Sequence, residues 1–144
     1  MTILVQRVNW ARVSCSSGKE EGIGKGILVY VGFERGDNEG VLEKGIRKIL
    51  NLRIFEDENG KMNLSVKDIG GEIMLVPNFT LAGNAQKGNR PSFDNALNPE
   101  EASKLFDKLY EMLKGEIPLK TGVFRDHMII QSENDGPVNI IIKL

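Results

Sequence analysis

An α+β fold of mostly antiparallel strands and two helices is predicted by three observations. Short apolar runs rich in β-branched residues alternate with two stretches of helical spacing, and Gly, Asn and Pro clusters punctuate them. The first fifteen residues, with Ile3, Val5, Val8 and Val13, read as a strand or hairpin. Gly22-Ile-Gly24-Lys-Gly26 then reads as a hairpin turn, and Gly26-Ile-Leu-Val-Tyr-Val-Gly32 as a buried strand. Between Asn38 and Leu52, Val41, Leu42, Ile46, Ile49 and Leu50 make one apolar helical face. Gly45 weakens that helix by up to ~1 kcal/mol relative to Ala. From Arg53 to Leu64 the pattern is strand, Asn59-Gly60 turn, strand, because Asn-Gly supplies the positive φ of a tight hairpin. Gly70-Gly71 precedes the apolar strand Glu72-Ile-Met-Leu-Val76. Asn98 caps a second helix, Pro99 suits its first position, and Glu101 completes a capping-box pattern. Its buried face is Ala102, Leu105, Phe106, Leu109 and Met112-Leu113, and Gly115 ends it. Strands from His127 to Gln131 and from Val138 to Lys143 follow, separated by Asn134-Asp135-Gly136-Pro137.

At 144 residues the chain is most simply one domain, 1–144, long enough to bury a core. No apolar run approaches the ~20 residues of a membrane helix, and Met1 to Arg7 lacks the pattern of a signal peptide. The single cysteine, Cys15, excludes an internal disulfide and suits a reducing compartment. These features point to the cytoplasm, without a membrane partner. Nineteen basic and 20 acidic side chains leave a net charge of −1, a poor footprint for non-specific nucleic-acid binding. Recognition of only the end of a nucleic acid remains compatible with it.

Conventional catalytic equipment is sparse. The only histidine, His127, and the only cysteine make no zinc pattern, so no metal is expected. No phosphate-binding loop or dinucleotide fingerprint is present, and no cofactor is called for. The carboxylates Glu20, Glu21, Glu56, Asp57, Glu58, Glu100 and Glu101 lie in turns and at a helix start, without a recognisable dyad.

The informative stretch is Pro77-Asn-Phe-Thr-Leu-Ala-Gly83, where a buried strand runs into a proline and then offers the hydroxyl of Thr80. Residue types alone suit a strand edge with a solvent-facing threonine, and Asn134-Asp-Gly-Pro137 suits a plain turn. Taken with Gln6-Arg7-Val8, Gly60-Lys-Met-Asn63, Arg90-Pro-Ser-Phe93 and Thr121-Gly122-x-Phe124, however, the chain resembles the D-aminoacyl-tRNA deacylases. Two motifs depart from that family's pattern. Pro77-Asn78 stands where Ser-Gln is usual, so the amide is one methylene shorter, and Asn139 stands where Thr is usual.

The resemblance implies a dimeric deacylase-like fold with a barrel-like sheet core, its active site at the homodimer interface. The implied substrate is the ester joining an amino acid to the acceptor end of tRNA. The implied catalytic group is Asn78, Phe79 and Thr80, with backbone N–H donors on the oxyanion and help from the terminal ribose hydroxyl. A cis Gly136-Pro137 element would enter the partner's site, bind the substrate ammonium and leave no room for an L side chain. Arg7 would hold that loop, and Phe124, Met128 and Ala102 would shape the wall. Glycine has no side chain to clash, so glycyl-tRNA is expected to be cleaved as well. Two other readings stay open: a tRNA-end-binding dimer without turnover, and an esterase using Thr80 as nucleophile.

Overall fold

The computed structural model describes residues 1–144. Its sheet is organised around one long strand, β1 (Thr2–Cys15), which carries partners on both edges. Along one edge lie β2 (Glu20–Ile23) and β3 (Gly26–Gly32), end to end and both antiparallel to it. Ala11 faces Ile23 and Val8 faces Gly26, so the intervening Gly24-Lys25 is a jog in a continuous line. The hairpin turn expected at Gly22–Gly26 is therefore not one. The reversal lies earlier, where the Cys15 N–H donates to the Lys19 carbonyl at 2.8 Å. Gly-rich sequence marks both kinds of irregularity, and only pairing distinguishes them.

Helix α1 (Glu39–Asn51) follows, with Asn38 accepting the Gly40 N–H at 2.9 Å. Gly45 has a packing reason: a Cβ there would lie 2.3 Å from Met1 Cε. The short strands β4 (Phe55–Glu56) and β5 (Met62–Leu64) form the hairpin expected around Asn59-Gly60. N–H donation from Lys61, reinforced by Asn59 and the Asn63 side chain, holds the Asp57 carboxyl below its usual range.

Strand β6 (Glu72–Pro77) pairs in parallel with β3 on one side and with β7 (Leu119–Thr121) on the other. These are the only parallel ladders, and each needs a long crossover. The first crossover contains α1 and the second contains α2 (Pro99–Leu113). Both helices pack on one face of the sheet, where Leu42 and Ile49 from α1 and Leu105 and Leu109 from α2 join Ile3, Val29, Ile73 and Leu75. Alternate residues of β3 and β6, Leu28, Met74 and Val76, enter a second cluster with Val8, Ala11 and Val13. Burial on both faces explains why these strands read as continuous apolar runs. The sheet curls until β7 approaches β2, and Lys19 Nζ donates to Thr121 Oγ1 at 3.1 Å across the gap. The result is the nearly closed, barrel-like core.

Strand β8 (Met128–Lys143) covers the other edge of β1. Gln6 faces Asn139 and Val8 faces Asn134, so residues 135–138 of β8 bulge out opposite the single residue Arg7. The two expected C-terminal strands are thus one ladder with an excursion at Asp135-Gly-Pro-Val138. The outer edge of β8 pairs with no strand, and Ile129 and Ile141 are exposed along it.

Candidate functional site

Strand β6 ends at Pro77, whose ring offers no N–H to a ladder. The chain then tightens into a 3-10 turn, Phe79–Ala82, in place of the strand edge suggested by residue types. Asn78 decides this locally. Its Oδ1 accepts the Thr80 N–H at 3.1 Å and the Thr80 hydroxyl at 2.5 Å, capping the turn. The Phe79 N–H precedes the turn's first internal bond and has no partner within it. Asn78→Ala is expected to lower stability by about 1 kcal/mol through loss of this cap. Denaturant titration would measure it; an unchanged midpoint would mean the turn is held by packing alone.

These contacts set the chemistry available. The hydroxyl proton of Thr80 points at an amide oxygen, which is no base at neutral pH. His127 is exposed at the start of β8 and engages only through its carbonyl, which accepts the Ser16 N–H. Nothing here activates Thr80 as a nucleophile. The inward-turned Oδ1 leaves the Asn78 NH2 free to donate outward.

Beside the turn opens a cavity of about 460 Å3, lined by Phe79, Phe93, Leu97, Ala102, Phe124 and Arg125 among others. Phe79 is 60% exposed, unusual for a large apolar side chain, and packs edge-on against Phe93 with ring centroids 5.2 Å apart. The far wall is the start of α2: Asn98, Pro99 and Ala102. Asn98 Oδ1 accepts the Glu100 N–H at 2.9 Å, which fixes this helix end. Phe124 closes the floor, 6.1 Å from Phe106 of the core.

Phe79, Ala102 and Phe124 thus line one cavity, with Asn78 and Thr80 in the adjoining turn. Met128 does not line it; it packs with the second cluster, over Gly122. Gly136, Pro137 and Arg7 lie elsewhere, at the β8 excursion. The Gly136-Pro137 bond is cis, and both residues are exposed. Arg7, only 7% exposed, donates from Nε to the Asp135 carbonyl at 3.0 Å and from Nη1 to the Ile54 carbonyl at 2.7 Å. Asn139 braces the base of the loop, accepting from Gln6 Nε2 at 3.0 Å and Asn134 Nδ2 at 2.8 Å. Asn134 Oδ1 in turn accepts the Val138 N–H at 3.2 Å.

Sequence reasoning gave no role to Phe93 or Arg125. Phe93 sits in the quoted Arg-Pro-Ser-Phe string, but its approach to Phe79 depends on how the 84–92 loop closes through the Asn84–Ser92 pair. Arg125 follows Phe124 directly, and no local pattern separates it from other surface cations.

The family model described as D-Tyr-tRNA(Tyr) deacylase matches residues 4–143. The chain belongs to that family. A D-aminoacyl-tRNA deacylase of Thermodesulfovibrio yellowstonii is 51% identical over 143 residues, covering 99% of this chain and 98% of that protein. A D-aminoacyl-tRNA deacylase of Persephonella marina is 52% identical over 142 residues, covering 99% of this chain and 97% of that one. Among solved structures, one named c-Myc DNA Unwinding Element Binding Protein superposes with a TM-score of 0.92 at 40% identity. The overlap covers 100% of this chain and 99% of that one.

Proposed function

We propose that this deacylase family member hydrolyses the ester of D-aminoacyl-tRNA, releasing the D-amino acid and tRNA. The observation that carries the reading is the Gly136-Pro137 loop. It is exposed and held by a buried arginine, yet it lies outside the cavity of its own chain. In a homodimer, a second copy's loop enters the Phe79 cavity. The unpaired outer edge of β8 and the exposed Ile129 and Ile141 on that strand support such an interface. Carbonyls of the loop bind the substrate ammonium, and the main chain occupies the space an L side chain would need. Glycyl-tRNA passes this filter and is cleaved too.

At the ester, the Phe79 N–H receives the developing oxyanion, joined by the Thr80 N–H when the Asn78 amide turns to the substrate. One such donor is worth about 3–4 kcal/mol in related chemistry. The terminal ribose hydroxyl orients the attacking water, so the enzyme needs no activated side chain. Ten-thousandfold acceleration of an already labile ester requires only ~5.5 kcal/mol. The tRNA end is the partner and the cytoplasm the setting. A net charge of −1 favours this local grip over binding through many phosphate contacts.

The test is paired deacylation of D-tyrosyl-tRNA, L-tyrosyl-tRNA and glycyl-tRNA. Loss of the D and glycyl esters with the L ester intact is expected. Cleavage of all three would remove the selector, and cleavage of none would leave a tRNA-end-binding dimer. Thr80→Ala is expected to keep kcat within about fivefold, because backbone donors remain. A drop of several thousandfold would instead make the hydroxyl the nucleophile.

A further inference from the structure

The turn that carries Phe124 contains a residue its geometry disfavours. The Asp126 N–H donates to the Val123 carbonyl at 3.2 Å, closing a four-residue turn. Arg125, at the third position, has φ 68° and is the only non-glycine residue of the chain with positive φ. Turns with positive φ there take Gly or Asn, because a Cβ crowds the backbone in the left-handed region. The arginine returns nothing to the fold. Its guanidinium makes no hydrogen bond or ion pair within the chain, although Arg125 lines the Phe79 cavity. The adjacent Asp126 carboxylate is turned away, accepting the Ser17 N–H at 3.1 Å.

A cation with no internal partner, held against backbone preference at the rim of an apolar cavity, suits an anion arriving with the ligand. We propose that Arg125 is a substrate-binding residue whose guanidinium pairs with the phosphodiester preceding the terminal nucleotide of tRNA. This rests on the deacylase reading above. Once the terminal nucleoside and its ester enter the cavity, that phosphodiester is the nearest negative charge along the strand. Guanidinium matches its oxygens in a two-pronged geometry that an ammonium lacks.

The test compares the full-length protein with Arg125→Gly, Arg125→Ala and Arg125→Lys on D-tyrosyl-tRNA and on D-tyrosyl-adenosine, which has no phosphodiester. The Gly and Ala variants are expected to raise KM for the tRNA about tenfold with kcat within about twofold. Their dependence of log kcat/KM on log salt should be shallower by about 0.7, and KM for the adenosine ester should not move. The Lys variant should keep part of the affinity. Arg125→Gly should also melt higher than the parent, because it relieves the left-handed turn, so its weaker binding cannot come from misfolding. Unchanged KM for tRNA in the Gly and Ala variants, or equal losses on both substrates, would overturn the assignment. Inactivity of the parent on both D esters would instead remove the deacylase reading itself.

Discussion

Arg7→Ala is expected to lower unfolding free energy by about 3 kcal/mol and to collapse discrimination between D- and L-tyrosyl-tRNA. The guanidinium is buried and bonds two carbonyls from distant parts of the chain, Ile54 on one side and Asp135 on the other. It also lies 3.4 Å from the Asp135 carboxylate. Hydrogen bonds to a charged group contribute about 1.5–3 kcal/mol each, and truncation leaves the Ile54 carbonyl without its donor. Both side-chain contacts to Asp135 go with the guanidinium, so the Gly136-Pro137 loop loses that anchor and keeps only the Asn134–Asn139 brace at its base. Arg7→Lys should recover less than half of either effect, since one ammonium cannot span both carbonyls as the fork does. Equilibrium denaturation and the D/L rate ratio are the two readouts. Selectivity that survives a destabilised Arg7→Ala variant would mean the loop is held from elsewhere.

Gly26→Ala is expected to lower stability by about 3 kcal/mol or more, through a backbone clash. Gly26 opens the parallel pairing of β3 with β6, where it faces Glu72. A Cβ there would lie 1.9 Å from the Glu72 carbonyl oxygen and 2.7 Å from its nitrogen. Backbone atoms in a ladder cannot rotate aside as a side-chain tip can, so β6 must move. Movement of β6 carries Pro77 and the Phe79 turn with it, so activity should fall along with the melting temperature. A drop of about 10 °C is expected for a chain of this size. Gly24→Ala, whose Cβ would meet only the Glu72 carboxylate at 3.5 Å, provides the near-neutral control. Similar melting temperatures for the two variants would contradict a rigid β3–β6 junction.

Both helices were legible because each carries its own signals: an Asn cap, an apolar face at helical spacing, and for α2 a proline at the first position. The cap of α2 differs in detail, since Asn98 bonds the N–H of Glu100, not that of Glu101. Strands β3 and β6 were legible as apolar runs, but nothing local announces that they pair in parallel. The Gly22–Gly26 segment misled for the same reason, because a hairpin and a jog use the same residues.

By itself the sequence determined the two helices, the buried strands, the absence of familiar acid–base machinery, and the strings that place the chain in its family. Those are local properties, written in spacing, turn chemistry and short motifs. The tertiary structure alone decided that Phe93 stands edge-on to Phe79, that Asn78 ties down the Thr80 hydroxyl, and that Arg125 lines the same cavity. It also decided that residues 135–138 bulge against the lone Arg7 and lie outside that cavity. The physical reason is that register and crossover path bring together residues far apart along the chain. Their meeting depends on how β1 carries β8 on one edge and β3 on the other, which no window of sequence contains.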